Sequence, residues 1–485
     1  MKIQTKTTPA LTASADAVVF FLHAEQKPAA LGAVFRGLNA EEFSGRAGQI
    51  CVVHTQGKLA APRAVLAGLG PRKDATPPKL RRAVVIATRR LREIGVHRAA
   101  FDAGSAERAG VIAEAVIAAH YDFDDFMPSK APPNTKLSAA TIHVGPGEAR
   151  AAAATVQRGT VIGETVNWTK AIANLPGNVI YPAELARRAA ALARESRGRL
   201  RCRVLDKRAL ERGGYGALLA VGSGSAREPR LIMLEYHGGP RSAGAKPFAL
   251  VGKAITFDSG GICIKPGDKM EEMKWDKCGG CAVLGILRAA VLLRLPVNLI
   301  GVIAAAENMP GAASYRPGDI VTTRSGKTIE VINTDAEGRV ILADALACAC
   351  ERKPRAIVDF ATLTGACVVA LGHNIAGLMG NDAALHKRIQ RASDATGEPV
   401  WELPLVDEFR DMVKSDAATV KNSAGRYGGS LTGGAFLQAF VDEGVPWAHL
   451  DIAGPAWASD PKPHQEKGAT AFGVRLMIEM LSRGA

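Results

Sequence analysis

The first part of the chain, up to about residue 145, alternates short apolar runs with stretches of helical periodicity. Short apolar runs bounded by turn residues predict strands, and apolar residues at helical spacing over 106–119 predict a helix. A segment rich in Pro, Lys and Asn, Pro128–Lys136, interrupts this pattern without ending the domain. The strands predicted in this part are Ala17–Leu22, Ile50–His54, Ala64–Leu69 and Thr141–Val144.

A long helical pattern follows from Glu148 to Ala173, and it ends at the turn sequence Asn174-Leu-Pro-Gly-Asn178. Beyond Tyr181 the pattern alternates regularly between strands and helices, which indicates βαβ units and a largely parallel sheet. The strands predicted there are 201–205, 231–235, 248–251, 298–305, 328–332 and 356–360, and the helices between them include 280–293 and 339–352.

These patterns predict an α/β protein with two domains. We expect a smaller N-terminal α/β domain over 1–146, a connecting helix over 147–174 and a larger C-terminal domain over 175–485. The larger domain should have a central mixed, mostly parallel sheet flanked by helices. In such sheets, binding sites lie beyond the carboxyl ends of the strands, so chemistry is expected there.

Composition narrows the class of protein. The chain has 485 residues, of which 47% are hydrophobic and 22% are charged, and this apolar content excludes a disordered chain. No apolar run approaches the roughly 18 residues of a membrane span. The run Ala17–Leu22 is also shorter than the apolar core of a secretion signal, about 7–15 residues. Eight scattered cysteines suit reduced cytosolic thiols, so we expect a cytoplasmic protein without membrane contact.

One cysteine pair, Cys278-Gly-Gly-Cys281, has the spacing of a zinc clip or a redox motif. A structural zinc site would need a second Cys or His pair, but the nearest histidines in sequence are His237 and His373. No thioredoxin-like surroundings are visible. We therefore interpret both as packing cysteines at the start of a helix.

The net charge of +14 raises the question of nucleic-acid binding. Between Lys58 and Arg98 there are eleven Lys or Arg residues against two acidic ones, partly on a predicted helix over 79–93. Its cations spread around the helix, and aromatic side chains for base stacking are scarce. We favour a solvated helix surface, and we expect weak, salt-sensitive binding to nucleic acid rather than a specific site.

Carboxylates and lysines cluster after two predicted strands. Asp258, Lys265 and Asp276 follow the strand over 248–251, and Asp335 and Glu337 end the strand over 328–332. Extended residues at i and i+2 point the same way, so the last two can converge. Converging carboxylates repel one another unless cations neutralise them, and these four acids could hold two divalent metals.

Simpler interpretations remain open for each element. Glu337 could be an acid at a helix N-terminus, Lys265 and Arg339 could be ion-pair partners, and Gly260-Gly261 could be turn glycines. Gly222-Ser-Gly224 lacks the full G-x-G-x-x-G pattern, so a dinucleotide site is discounted. Carboxylate spacing alone is also compatible with another two-metal hydrolase, such as a phosphoesterase.

Two motifs carry a resemblance to a known family. Asn333-Thr-Asp-Ala-Glu-Gly-Arg339 resembles the signature of the cytosol (leucyl) aminopeptidases, which are two-metal exopeptidases. Val251-Gly-Lys-Ala-Ile-Thr-Phe-Asp-Ser-Gly-Gly261, with Lys265 and Asp276 downstream, resembles the family's second motif. Asp359–Thr364 and His449–Gly454 agree more weakly, and the similarity extends over about 160–480.

The resemblance implies a role for each matching residue. It implies that Lys253, Asp258, Asp276 and Glu337 ligate one metal, and that Asp258, Asp335 and Glu337 ligate the other. Lys265 would contact the scissile carbonyl oxygen, and Arg339 would hold a bicarbonate ion that serves as general base. Met273, Thr362 and the main chain of Leu363 would lie against the substrate.

The same resemblance implies an aminopeptidase that releases leucine or another medium apolar residue from short peptides. Zinc is the expected metal, with manganese as an alternative occupant, and a homohexamer is the expected assembly. The sequence departs from the family pattern at Val340, at Lys277, and at Cys278 and Cys281. Lys277 beside Asp276 places an additional cation near the site.

Overall fold

A computed structural model describes residues 1–127, 136–239 and 246–483. The chain forms two compact units, Met1–Asn167 with Pro461–Glu466, and Trp168–Asp460 with Lys467–Ala485. Of the interrupting segment Pro128–Lys136, only Lys136 is among the described residues. Across the described residues, no helix is both long enough and apolar enough to cross a membrane.

The first unit is built on a sheet with strand order β1-β6-β5-β2-β4-β3. Neighbouring strands are parallel except for the edge pair of β3 and β4. Its elements are β1 (Lys2–Lys6), β2 (Ala17–His23), β3 (Ile50–His54), β4 (Arg63–Gly70), α1 (Pro77–Glu93), β5 (Arg98–Gly104), α2 (Ala106–Ala118) and β6 (Ala139–Val144). Helix α3 (Ala149–Ala173) begins in this unit and continues past Asn167 into the residues of the second unit. The four strands predicted here are confirmed, whereas β1 and β5 were not predicted.

Helix α1 has one apolar face and several arginines. Leu80, Val84, Ala87 and Leu91 are buried on that face, as their helical spacing predicts. The prediction of a solvated basic helix surface is wrong for Arg92, whose side chain is 5% exposed. Arg92 donates to the carbonyl of Ala119 over 2.7 Å and pairs with Asp122 over 2.5 Å, and these acceptors allow its burial.

The second unit is built on a mixed sheet with strand order β15-β14-β17-β13-β9-β10-β8-β7. The four central strands, from β17 to β10, are parallel. Its strands are β7 (Leu200–Leu205), β8 (Arg230–His237), β9 (Phe248–Asp258), β10 (Asn298–Asn308), β11 (Ile320–Thr322), β12 (Thr328–Glu330), β13 (Ala356–Ala361), β14 (Ala376–Gly380), β15 (Val400–Glu402), β16 (Val420–Lys421), β17 (Trp447–Asp451), β18 (Trp457–Ala458) and β19 (Gly468–Ala469).

Helices cover both faces of this sheet. They are α4 (Pro182–Glu195), α5 (Lys207–Arg212), α6 (Gly216–Gly222), α7 (Cys278–Leu293), α8 (Glu337–Cys350), α9 (Gly365–Leu371), α10 (Ala383–Thr396), α11 (Asp407–Met412), α12 (Gly429–Gln438) and α13 (Val474–Ser482). One core lies between the sheet and α4, α7 and α13, and another lies between the sheet and α6, α8 and α12. Alternate residues of β9 supply both cores, for example Leu250 on one side and Val251 on the other.

The central strand β9 is longer than predicted. The sequence predicted a strand over 248–251 followed by a polar cluster, but the strand continues to Asp258. Its register with β10 is maintained from Phe248 to Ile255 before a bulge. Lys253 does not end the strand because nearby carboxylates neutralise its buried ammonium group.

The predicted extended geometry of Asp335 and Glu337 is wrong. Strand β12 ends at Glu330 and belongs to a small separate sheet with β11 and β16. Asp335 lies in a turn, and Glu337 is the first residue of α8. The turn sequence Asn333-Thr-Asp-Ala reverses the chain here, because the Asn333 side chain accepts from the backbone N–H of Asp335 over 2.9 Å.

Two glycines permit close packing around β9. A Cβ atom on Gly338, in the first turn of α8, would lie 2.5 Å from Nζ of Lys253, so only glycine leaves room for the lysine. A Cβ atom on Gly279, in the first turn of α7, would lie 2.1 Å from the carbonyl oxygen of Phe360. This contact explains the glycine that follows Cys278. Cys278 and Cys281 are both buried in the first turn of α7, which is the position and the burial that the packing interpretation predicts.

Candidate metal centre

Four carboxylates and two lysines meet in the second unit, at the carboxyl end of β9. Lys253 and Asp258 come from β9 itself, and Asp276 follows a short 3-10 helix, Met270–Trp275. Asp335 and Glu337 come from the turn before α8 and from its first residue. Lys265 lies on the loop after β9. The structure therefore brings together all six residues that the sequence placed in one site.

Lys253 lies at the buried end of this cluster. Its Nζ is 2.9 Å from Oδ1 of Asp276 and 2.8 Å from Oε1 of Glu337, and it donates to the carbonyl of Thr362 over 2.8 Å. Its side chain is 3% exposed. Although burial lowers the pKa of Lys253, the three carboxylates of Asp276, Glu337 and Asp258 raise it above its usual value. The group is therefore an ammonium ion when carboxylates alone surround it.

Lys265 lies at the open end, where its side chain is 21% exposed. Its Nζ is 2.9 Å from Oδ2 of Asp258 and also forms an ion pair with Asp335. Although burial lowers the pKa of Lys265, Asp258, Glu337 and Asp335 raise it above the usual range. Lys265 is thus held as a cation at the entrance of the cluster.

Three of the carboxylates form a compact oxygen cluster. One carboxylate oxygen each of Asp258, Asp335 and Glu337 lie within 4.8 Å of one another. Burial and the neighbouring Glu337 raise the pKa of Asp258 to about 6 despite the two lysines. Burial alone would raise the pKa of Glu337, but Lys253 and Lys265 lower it. The cluster needs positive charge to stay ionised, as adjacent buried carboxylates generally do.

The carboxylate oxygens of the cluster are suited to binding divalent cations, because two of them are buried without a hydrogen-bond donor in the part of the chain that the structure describes. Among the described residues, the buried oxygens Oδ2 of Asp276 and Oε2 of Glu337 have no hydrogen-bond partner. A buried carboxylate oxygen without a donor is costly, and a metal ion is one of its usual partners. Carboxylate oxygens are suitable ligands for Zn²⁺, Mn²⁺ and Mg²⁺.

The sequence patterns did not predict the residues that hold Asp258 in place. Asn308, at the end of β10, donates from Nδ2 to Oδ1 of Asp258 over 2.8 Å and to the carbonyl of Thr334 over 3.0 Å. The backbone N–H of Gly260 donates to the same Asp258 oxygen over 2.9 Å. Tyr315 donates to the carbonyl of Thr334 over 2.8 Å. The one sequence feature that could have indicated this role is that Asn308 ends the largely apolar strand β10.

The remaining predicted residues lie around the cluster. Thr362 is buried and donates from Oγ1 to Oδ1 of Asp276 over 2.6 Å. Leu363 follows it, and its N–H donates to Oδ1 of Asp451 over 3.1 Å. Met273 accepts at its carbonyl from the N–H of Asp276 over 3.3 Å, which places it on the short helix leading to that ligand.

Arg339 is a buried cation in the first turn of α8. It is 8% exposed, and its Nε has no hydrogen-bond partner among the described residues. Burial lowers its pKa, while Glu337 and Asp451 oppose that shift. A buried guanidinium with an unused donor is suited to an anion, which is compatible with the implied bicarbonate.

A second buried network lies on β13 and β17. Nδ1 of His449 is 2.5 Å from Oδ1 of Asp359, and Trp447 donates from Nε1 to the other Asp359 oxygen over 2.7 Å. Burial lowers the pKa of His449, but Asp359 raises it above the usual value. In the sequence, Asp359–Thr364 and His449–Gly454 were noted only as weaker matches to the family pattern, and the contact between Asp359 and His449 was not predicted.

Comparison with protein families gives matches over both units. A model described as the catalytic domain of the cytosol aminopeptidase family matches residues 167–478. A model described as the N-terminal domain of the same family matches residues 21–130. A probable cytosol aminopeptidase of Cenarchaeum symbiosum is 48% identical over 447 residues, which cover 90% of this chain and 89% of the relative. A probable cytosol aminopeptidase of Syntrophotalea carbinolica is 43% identical, and the alignment covers 100% of both chains.

Solved structures agree with these sequence matches. A mutant of tomato leucine aminopeptidase superposes with a TM-score of 0.89 at 31% identity, covering 100% of this chain and 97% of that one. The bottromycin maturation enzyme BotP in complex with Mn superposes with a TM-score of 0.85 at 33% identity, covering 97% and 99% of the two chains. The fold and the order of both domains are thus shared with these proteins.

Proposed function

Since this chain belongs to the cytosol aminopeptidase family, we propose that it releases leucine or another medium apolar residue from the amino terminus of short peptides, using two divalent metal ions. Membership of this family implies that the chain hydrolyses N-terminal peptide bonds. One observation supports the metal-dependent site proposed here. The oxygens of Asp258, Asp335 and Glu337 converge within 4.8 Å, while buried oxygens of Asp276 and Glu337 have no donor among the described residues.

The family resemblance implies which residues of the cluster would hold each ion. Lys253, Asp258, Asp276 and Glu337 would bind one ion, and Asp258, Asp335 and Glu337 would bind the other. When bound, divalent ions of this kind lower the pKa of a water molecule and polarise a peptide carbonyl. Lys253 must lose its proton to act as a ligand, and nearby dications favour that loss. Zinc is the proposed metal and manganese an alternative.

The other residues would act on the substrate. Lys265, a cation at the open end of the cluster, would stabilise negative charge on the carbonyl oxygen of the scissile bond. Arg339 would hold bicarbonate through its guanidinium, and the chemistry supplied by that anion would be general-base catalysis. The carbonyl of Leu363 would lie against the substrate, and Asp451 fixes this stretch by accepting from the N–H of Leu363. Met273 and Thr362 would line the pocket for the first side chain.

An assay on a blocked and an unblocked substrate tests the proposal. With added Zn²⁺ or Mn²⁺, we expect cleavage of Leu-p-nitroanilide and none of its N-acetylated form, because an exopeptidase requires the free amine. Substrates with Glu or Lys in place of Leu test the apolar preference. Cleavage of both the free and acetylated forms, or of neither, would contradict the proposal.

Assembly, location and partners complete the proposal. The chain would form a homohexamer in the cytoplasm, with active sites that only small peptides reach, and without membrane contact or a specific nucleic-acid partner. Light scattering on the purified protein tests the assembly. A stable, active monomer at micromolar concentration would contradict it.

A further inference from the structure

A cavity in the second unit, Trp168–Asp460 with Lys467–Ala485, carries strong positive charge. It has a volume of about 520 Å³ and is lined by Arg203, Arg212, Arg324, Arg352 and Glu351, with Tyr215 also in its wall. Four arginines against one glutamate give the lining a net charge of +3. A cavity of this size is within the range of small-molecule sites, about 300–1,000 Å³.

This cavity is separate from the carboxylate cluster. Helix α8 begins at Glu337, which belongs to the cluster, and Cys348 and the C-cap residue Glu351, at its other end, line the cavity. A helix of this length spans about 20 Å at the usual rise of about 1.5 Å per residue. The cavity is therefore a site of its own and does not extend the peptide site.

Two of the arginines are held in place by the protein. Arg324 is 2.7 Å from Oε1 of Glu351, donates to the carbonyl of Gly213 over 2.5 Å, and lies 5.3 Å from the centre of the Tyr215 ring. The guanidinium of Arg352 is 3.4 Å from Oε1 of Glu235. Both charges are thus partly compensated, and its three contacts fix the position of Arg324.

The other two arginines are not compensated. Among the described residues, Arg203 on β7 and Arg212 at the end of α5 have no carboxylate within 4.0 Å. Like charges that line one concavity repel one another, and concave walls focus their field. A multiply charged anion would relieve this repulsion, and each guanidinium can bind a phosphate or carboxylate through two parallel hydrogen bonds.

We propose that this cavity binds a small organic polyanion, a molecule with at least two phosphate or carboxylate groups, through Arg203 and Arg212. Tyr215 and Met233 also line the wall, but both are largely buried, so the ligand would be held mainly through its anionic groups. The concave shape distinguishes the cavity from a convex surface that tracks a nucleic-acid backbone. This binding does not depend on the proposed peptidase function, so each can fail without the other.

Isothermal titration of the full chain tests this proposal with two probes, fructose 1,6-bisphosphate and succinate, at about 0.15 M salt, where weak surface attraction is screened. We expect saturable binding of at least one probe, and the tighter of the two identifies the source of the anionic groups. Arg203→Gln/Arg212→Gln should weaken this binding at least tenfold. The matched control Lys387→Gln/Arg391→Gln removes two exposed cations of α10 and should leave it unchanged.

Two more variants locate the bound probe and separate charge from hydrogen bonding. Glu337→Ala that keeps the wild-type circular dichroism spectrum should retain probe binding, whereas loss of binding by this folded variant would place the anion at the metals and overturn the proposal. Arg203→Lys/Arg212→Lys keeps the charge without the paired hydrogen bonds, so it should weaken binding by an intermediate factor even if the Gln variant fails to fold. Equal affinity in all variants, or binding of neither probe, would overturn the proposal. Tighter, Arg203-dependent binding of duplex DNA would also overturn it, by making the ligand a nucleic acid.

Discussion

Nζ of Lys253 lies 2.8 Å from Oε1 of Glu337, and the lysine reaches this carboxylate through space that only Gly338 leaves free. The pair joins a central strand to the first turn of a buried helix. Both partners are almost completely buried, with exposed side-chain fractions of 3% and 2%. Breaking one side of such a pair leaves an uncompensated charge in the interior, which is strongly destabilising.

Glu337→Ala should reduce bound metal and activity together. Glu337 is assigned to both ions, and its Oε2 has no other partner among the described residues. The measurement is elemental analysis of dialysed protein beside the rate on Leu-p-nitroanilide. Two equivalents of metal in Glu337→Ala would refute its assignment as a shared ligand.

Lys265→Ala is the matched variant, in which metal content and turnover rate should change independently. Lys265 contacts two of the carboxylates but is assigned to the scissile carbonyl, so the variant should keep two metals while kcat falls by about 10²–10³, as on loss of one transition-state donor. Loss of metal from this variant would show that the lysine is needed for ligation.

Asn308→Ala should weaken metal binding although Asn308 is no ligand. Its amide donates to Asp258 over 2.8 Å, and residues that orient ligands commonly contribute about 10–100-fold to metal affinity. The lost buried hydrogen bonds should also lower the free energy of unfolding by about 1–3 kcal/mol. Competition with a chelator measures the affinity, and urea unfolding measures the stability.

Asn381→Ala is the control for this effect. Asn381 donates to the carbonyl of Val445 over 3.0 Å and accepts from the N–H of Trp447 over 2.7 Å, and neither group belongs to the cluster. This variant should lose stability and keep its metal affinity. Equal metal affinities in Asn308→Ala and the wild type would show that Asn308 only supports the fold.

The thiols of Cys278 and Cys281 should react slowly with iodoacetamide in the native protein. Burial raises the pKa of Cys281 to about 11 and raises that of Cys278 above its usual range, so little thiolate is present at about pH 8. The substitution Cys278→Ser/Cys281→Ser should leave the metal content unchanged. Loss of zinc from this variant would support a zinc clip at this pair.

The pair of His449 and Asp359 should make stability depend on pH. Because Asp359 raises the pKa of buried His449 above 6.5, its contribution is fully present below pH 6.5. The contribution is lost as the pH rises through the raised folded-state value, since the folded protein then gives up a proton that it had bound more tightly. The free energy of unfolding of the wild type should therefore fall over this window.

His449→Gln should remove this component of the fall, measured by urea unfolding from about pH 6 to 9 at constant metal load. His373→Gln, at an exposed histidine of the same unit, is the control and should follow the wild-type profile. Identical pH slopes in wild type and His449→Gln would show that the pair does not titrate in this range.

Binding of duplex DNA should be weak, sequence-independent and lost as salt rises. Arg89 donates to the carbonyls of Lys462 and Pro463 and pairs with Glu466, and Arg90 pairs with Glu93 over 2.9 Å. Internal partners leave these cations less available to phosphates. A gel shift near physiological salt checks this, with Arg89→Ala/Arg90→Ala as the variant. Tight, sequence-selective binding that this variant abolishes would establish a second function.

Sequence patterns predicted the elements best where one short segment determines the structure. The run Ile50–His54 became β3 with the same bounds, and the helical pattern over 106–119 became α2. The predicted end of β9 at residue 251 was wrong. Polar residues normally end a strand, but Lys253 is neutralised by carboxylates distant in sequence, so the strand continues. Strand β17 was missed because its five residues include His449 and Asp451, whose burial depends on partners elsewhere in the chain.

The carboxylates of the site were visible in the sequence, and their roles came from the resemblance. Asp335 and Glu337 converge through a turn and a helix start rather than an extended strand, so the expected proximity had a different cause. Asn308 could not be found from spacing, because it reaches Asp258 across neighbouring strands from 50 residues away. Such pairings depend on strand order, which local patterns do not contain.

Every residue of helix α8 is buried, from Glu337 to Cys350. The amide protons of such a helix can exchange with deuterium only when the surrounding layers open, so its last turns should be among the slowest-exchanging in the chain. Glu337 and Arg339 are thereby attached to a segment that opens late. Loosening of surface loops by heat or mild denaturant should leave these two groups aligned until global unfolding.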